Sequence, residues 1–180
     1  MTVRLICPNG EVEIYRSFYS LKANEQENVE LPIQLESSLL GDLEGNCYLN
    51  VKFGNDEVKS REFVITKDIE VSLNIIGASF DPGKEVFIKG NAKKKNGQLL
   101  NGFVEASIDG LNQSIFASSK EGNFNFSFSL SSSLKTGNYE LKVRVYEKDS
   151  AGWIANEGFT SSIIKISQII GKIEIAIDSQ

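Results

Sequence analysis

Histidine is absent from the 180 residues. Its absence removes the commonest general base, the Ser–His and Cys–His nucleophile systems, and most zinc sites. No GxxxxGK[ST] loop is present, and no GxGxxG opens a helix after a strand, so nucleotide-binding fingerprints are missing too. Carboxylate pairs alone can hydrolyse glycosides, but the Glu and Asp residues fall on expected turns and outward strand positions. We therefore expect a protein without catalytic residues, metal or cofactor. A long apolar run is also missing. The best candidate, Ile163 to Ile177, is interrupted by Lys165, Ser167, Gln168, Lys172 and Glu174, and a membrane span needs about 20 nearly unbroken apolar residues. Clustered positive charge is scarce. The net charge is -5, which argues against a nucleic-acid partner, because phosphate binding calls for grouped Lys and Arg.

Helical periodicity is scarce as well. What is present is alternation with period two, rich in Val, Ile, Phe, Tyr and Thr, the pattern of half-buried strands. Asn9-Gly10, Asn96-Gly97, Asn101-Gly102, Asp109-Gly110, Gly122-Asn123 and Gly137-Asn138 punctuate it. Such pairs supply the positive-φ residues of tight hairpins. The expected class is all-β, an antiparallel sandwich. From Lys67 to Ile166 the expected strands are Ile69–Ile76, Glu85–Asn91, Phe103–Asp109, Gln113–Ser118, Asn123–Leu130, Asn138–Tyr146 and Glu157–Ile166. Seven strands in this span match the size of an immunoglobulin-like domain.

The chain also repeats itself out of frame. Residues 31–40 read LPIQLESSLL and residues 126–135 read FSFSLSSSLK. Each is followed by a glycine, Gly45 or Gly137, and an alternating strand. Val3 to Gly10 falls where Phe103 to Gly110 falls, Val29 to Leu35 matches Phe124 to Leu130, and Glu57 to Ile65 matches the closing strand. KIEIAID (Lys172 to Asp178) resembles DIEVSLN (Asp68 to Asn74). The expected organisation is tandem: residues 1–66 a module lacking its first strands, 67–166 a complete one, and 167–180 a linker with the opening strand of a third. The charge divides unevenly. Residues 1–66 carry six basic and eleven acidic groups, and residues 67–166 carry twelve and eleven. Screening over roughly 8 Å keeps any head-to-tail attraction between such copies weak. Addition of the C-terminal strand to another molecule's open edge is a route to head-to-tail self-association.

The stretches FDPGKEVFIKGNAKKKNGQLLNGFVEASIDG and EGNFNFSFSLSSSLKTGNYELKVRVYEKDSAG resemble the immunoglobulin-like repeats of prokaryotic surface proteins. Macroglobulin-like modules share the pattern. The likeness covers the complete module well and residues 1–66 in part, and it departs at Trp153, where small or polar residues usually follow the D..G loop. It implies tandem immunoglobulin-like sandwiches at a cell surface or in a secreted protein, acting as spacer, adhesive or protein-interaction unit. Such folds host many activities, so this implication is one of analogy. Two other readings stay open. One is an accessory module binding carbohydrate for a larger secreted enzyme, which calls for an exposed aromatic row, with Trp153, Tyr15, Phe18 and Tyr19 as candidates. The other is a strand-swapped filament subunit.

A few residues stand out individually. Cys7 and Cys47 share parity with inward residues on strands that pair antiparallel in an immunoglobulin-like layout. They are either a disulfide or two buried thiols. Asp149, Trp153 and Asn156 mark a possible recognition loop, because tryptophan is enriched at binding hot spots. The bland alternative is that Trp153 packs over the end of the sandwich. Asn112 and Asn125 fit the N-x-[ST] glycosylation pattern, which short sequences often match by chance. Lys93, Lys94 and Lys95 form a basic turn, best read as solvated. Asp68, Glu70, Asp81, Glu147 and Asp149 lie near module junctions or loops, but without the DxDxDG spacing of a calcium loop. The expected partners are a protein or a surface glycan.

Overall fold

The computed structural model describes residues 1–22, 25–33 and 35–167, with Asn112 and Gln113 described by their backbone alone. The strand expected at Lys172 to Asp178 lies outside them. The chain divides into two compact units: Met1–Asp68 with Glu147–Asn156, and Ile69–Tyr146 with the chain from Glu157 onward. No helix among the described residues is long and apolar enough to cross a membrane.

Among the described residues the first unit holds one antiparallel sheet. Its strands are β1 (Thr2–Cys7), β2 (Gly10–Arg16), β3 (Gly45–Phe53), β4 (Asp56–Lys59) and β5 (Phe63–Ile65), with a single helical turn α1 (Ser37–Leu40) between β2 and β3. The order is β2-β1-β3-β4, and β5 pairs with the start of β3. Val3, Leu5 and Cys7 alternate inward along β1. Leu5, Cys7, Leu43 and Cys47 form a small core, flanked by Val12, Ile14, Leu40, Leu49, Phe63 and Ile65. Asn9 ties the chain after α1 to the β1–β2 turn. Its amide donates to the Asp42 carbonyl at 2.5 Å, and its oxygen accepts the Glu44 N–H at 3.1 Å.

Two expected strands of this unit differ in the structure. Glu57 to Ile65 is two strands rather than one. At the break the Ser60 hydroxyl accepts the Leu49 N–H at 2.9 Å and donates to the Arg61 carbonyl at 2.8 Å, taking the place of a ladder bond. Val29 to Leu35 forms no strand over its described residues. Pro32 has no N–H to give a ladder. The Ile33 N–H turns back to the Leu31 carbonyl at 2.9 Å, a three-residue turn centred on that proline.

Among the described residues the second unit holds seven strands in two antiparallel sheets, except that residues 147–156, at the ends of the last hairpin, group with the first unit. β6 (Ile69–Ile75), β7 (Glu85–Lys94) and β10 (Asn123–Ser129) form one, in the order β10-β7-β6. β8 (Gly102–Ile108), β9 (Leu111–Ser119), β11 (Gly137–Lys148) and β12 (Ile154–Ile166) form the other, in the order β12-β11-β8-β9. Each strand expected in this stretch is present, displaced by a few residues at its ends. Alternation places one face of each sheet in a common core. Val86, Ile88, Phe124, Phe126 and Phe128 come from the first, and Val104, Ala106, Leu141, Val143, Val145 and Ile164 from the second. Shared burial between two sheets fits a β-sandwich. Gly90 is required by this packing, because a Cβ there would strike the Phe124 ring and the Ser72 carbonyl. Ser119, the buried polar residue among those described, satisfies its hydroxyl on the Leu100 carbonyl at 3.2 Å.

Candidate functional site

The alternation that fills the core sends a second set of side chains outward from the four-stranded sheet. On β8, Val104, Ala106 and Ile108 are buried, so Phe103, Glu105 and Ser107 face out. On β11, Leu141, Val143 and Val145 are buried, so Lys142, Arg144 and Tyr146 face out. The register aligns them in rows: Phe116–Glu105–Arg144, Ser118–Phe103–Tyr146 and Ser114–Ser107–Lys142. β12 adds Phe159 and Ser161 from positions between its inward residues.

Three of these rings are unusually open for phenylalanine. Phe116 is 71% exposed, Phe159 67% and Phe103 48%. Isolated surface apolar residues are ordinary, whereas several on one face mark a contact surface. The rings form part of an ordered array. Phe103 stacks on Tyr146 with centroids 5.5 Å apart. The Arg144 guanidinium sits 5.1 Å from the Tyr146 ring and 5.7 Å from the Phe159 ring. Glu157 fixes it there by accepting Nε at 3.1 Å and Nη2 at 2.7 Å. Lys142 donates to both Asp109 carboxylate oxygens at 2.9 Å. That bond holds the Lys142 ammonium above its ordinary pKa. Between β8, β11 and β12 runs an open groove of about 600 Å³, with Glu105, Ser107, Glu140, Lys142, Arg144 and Phe159 among its walls.

The residues singled out from the sequence lie elsewhere. Cys7 and Cys47 form a disulfide, with Cα atoms 4.3 Å apart. They follow the Leu5–Leu49 and Ile6–Tyr48 pairs of neighbouring strands, so the bond crosses within one sheet. Asp149 and Trp153 close the turn between β11 and β12. Asp149 Oδ1 accepts the Ala151 and Trp153 N–H groups at 3.0 and 2.9 Å, and its own N–H donates to the Trp153 carbonyl. The Trp153 side chain is 67% exposed. Asn156 stands on β12 and donates to Glu147 of β11 at 2.7 Å. The structure therefore gives the Asp149 and Asn156 side chains bonds that shape the hairpin.

Tyr15 and Tyr19 share a hydroxyl hydrogen bond at 3.0 Å, which raises the Tyr19 pKa, and Phe18 beside them is 97% exposed. Phe18 and Tyr19 lie beyond the end of β2, outside any sheet face. Asn125 is exposed on β10 opposite Lys89, and Asn112 lies on β9. Lys93 pairs with Glu70 at 3.1 Å. No group of three or more His, Cys, Asp or Glu among the described residues could hold a metal ion.

The sequence reading missed Phe103, Phe116, Tyr146 and Phe159. Their signal was a large aromatic at the off-core parity of an alternating strand. It becomes a pattern only when register brings the strands together. No family model matches this sequence. No curated protein matches it. Among solved structures, the crystal structure of domains 4 and 5 of the S-layer protein SbsC is similar at a TM-score of 0.35 and 11% identity, over 92% of this chain and 99% of that one.

Proposed function

We propose that this chain is a non-enzymatic spacer and interaction module of a cell-surface or secreted protein, built from tandem immunoglobulin-like units. The division of seven strands into a three-stranded and a four-stranded sheet supports an immunoglobulin-like reading of the second unit. The Cys7–Cys47 disulfide supports an oxidising, exported setting. The observation that carries the interaction role is the outward face of the four-stranded sheet. There Phe103, Phe116 and Phe159 are exposed around an Arg144 held by Glu157. Aromatic rings with a fixed arginine are the composition of binding hot spots.

The test is retention of the purified chain on immobilised collagen, fibronectin and fibrinogen and on cellulose and chitin. The wild-type chain is expected to be held by at least one of these. Phe116→Ser/Phe159→Ser is expected to lose that retention while keeping the wild-type melting temperature. Equal retention of both proteins, or no retention of the wild type, refutes the proposal.

A further inference from the structure

We propose that Asn96 is a self-modification site: the Gly97 nitrogen displaces its side-chain amide, leaving aspartate or isoaspartate in the turn after β7. The inference stands apart from the interaction face, because the reaction needs water alone as co-reactant.

The chemistry belongs to the Asn–Gly pair. The Gly97 nitrogen gives its proton to solvent base and attacks Asn96 Cγ. An N–Cγ bond forms, the Cγ–Nδ2 bond breaks, and Nδ2 leaves as ammonia after taking a proton from water. Water then opens the cyclic imide at either carbonyl. Opening at Cγ gives aspartate. Opening at the main-chain carbonyl gives isoaspartate, with Gly97 now hung on the side-chain carboxyl carbon. Glycine suits the step because no Cβ crowds its nitrogen.

The sequence offers three such pairs: Asn9-Gly10, Asn96-Gly97 and Asn101-Gly102. All three asparagines are exposed, so exposure does not rank them. Their hydrogen bonds do. Asn9 donates to the Asp42 carbonyl at 2.5 Å and accepts the Glu44 N–H at 3.1 Å. Its Gly10 pairs with Cys7 of β1, which the disulfide ties to Cys47. Asn101 accepts the Glu121 N–H at 2.8 Å, and its Gly102 pairs with Ser119 of β9. Both amides are thus held by residues distant in the chain, and ring closure there requires strands to part.

Asn96 is held by its own turn. Its Oδ1 accepts the Gln98 N–H at 3.0 Å, and its Nδ2 donates to Gln98 Oε1 at 3.3 Å. The Gly97 N–H donates to the Lys94 carbonyl at 2.8 Å. Such side-chain turns form and break without disturbing a sheet. Gly97 has φ +86°, and no atom among the described residues lies within 4 Å of where its Cβ would stand. The closing ring therefore meets no neighbour. The product adds a negative charge to a chain whose net charge is -5. Isoaspartate also lengthens the main chain inside the turn that the Lys94 N–H closes on the Gln98 carbonyl at 2.8 Å.

The experiment is timed incubation of the full chain at mildly alkaline pH, folded in buffer and unfolded in urea with a thiol reductant. Peptide mass spectrometry then separates the amide, aspartate and isoaspartate forms at each pair. All three pairs are expected to convert alike in the unfolded chain. In the folded chain Asn96 is expected to convert within about tenfold of its unfolded rate, since exposed local hydrogen bonds oppose it. Asn9 and Asn101 are expected to slow by more than about a hundredfold, since strands must open first. Asn96→Gln is expected to remove the acidic variant that the folded chain develops on ion exchange. Conversion of Asn9 or Asn101 as fast as Asn96 in the folded chain would overturn the inference. So would an Asn96 as protected as they are, or aspartate at Asn96 without isoaspartate, which is the mark of direct hydrolysis with no ring.

Discussion

Removing the disulfide should destabilise one unit of this chain and leave the other intact. Cys7 and Cys47 close a loop over a sequence separation of 40. The chain-entropy relation gives about 4 kcal/mol for a loop of this size. The first unit depends on that contribution because its buried core is small: Leu5, Leu43 and the two sulfurs themselves. Among the described residues the second unit has seventeen buried core residues, most of them on its two sheets. Small cores are where covalent staples matter most. Cys7→Ala/Cys47→Ala should therefore lower the opening free energy of β1 and β3 by about 4 kcal/mol, on the order of a thousandfold in the equilibrium constant. Hydrogen exchange reads this directly. The amides of Leu5 and Leu49 should lose protection by that factor, while those of Val86 and Val143 keep theirs. Unchanged protection at Leu5, or an equal loss in both units, would refute the assignment of this staple to the first unit alone.

Three further outcomes follow from local geometry. Gly90→Ala should cost about 1–3 kcal/mol, the range for overpacking, because its Cβ meets the Phe124 ring and a backbone carbonyl; urea unfolding measures it, and a neutral result contradicts the packing described. Arg144→Ala removes the Glu157 pair, whose side chains are 34% and 40% exposed, so its cost should stay below about 1 kcal/mol; a larger fall in the urea midpoint would show that the pair is structural. Glu13 is held below its ordinary value of 4.5 by the hydrogen bond from Arg16. Its contribution to stability is present above that value and fades as pH falls through the lowered one. Arg16→Ala should move the Glu13 midpoint in an NMR titration up toward 4.5, and an unmoved midpoint would dismiss the pair.

Where the alternation is long and uninterrupted, the second unit was legible from the sequence. Phe124, Phe126 and Phe128 on β10, and Leu141, Val143 and Val145 on β11, could face only one way once a core existed. The first unit was less legible. LPIQL has the alternation of a strand, but Pro32 removes a donor and the Ile33 N–H closes a local turn. Likewise EVKSREFVI alternates across Ser60, whose hydroxyl substitutes for a ladder partner. Period two reports which side a residue prefers, and a side chain that competes for backbone bonds is invisible to it.

The candidate site was hidden for a different reason. Phe103, Phe116, Tyr146 and Phe159 sit on four different strands and 13 to 56 positions apart in the chain. Taken singly each is an unremarked surface ring, while Trp153 drew notice because it is the one tryptophan. Only the register of β8, β9 and β11, with β12 beside them, makes the four rings one face.

That face is most directly tested by comparing two variants that expose the same chemistry on opposite sheets. Phe87 on β7 is 50% exposed, on the outer side of the three-stranded sheet. On the panel of matrix proteins and polysaccharides, Phe116→Ser/Phe159→Ser should lose the retention that Phe87→Ser keeps. Loss in Phe87→Ser with retention in the double variant would place binding on the other sheet and contradict the account.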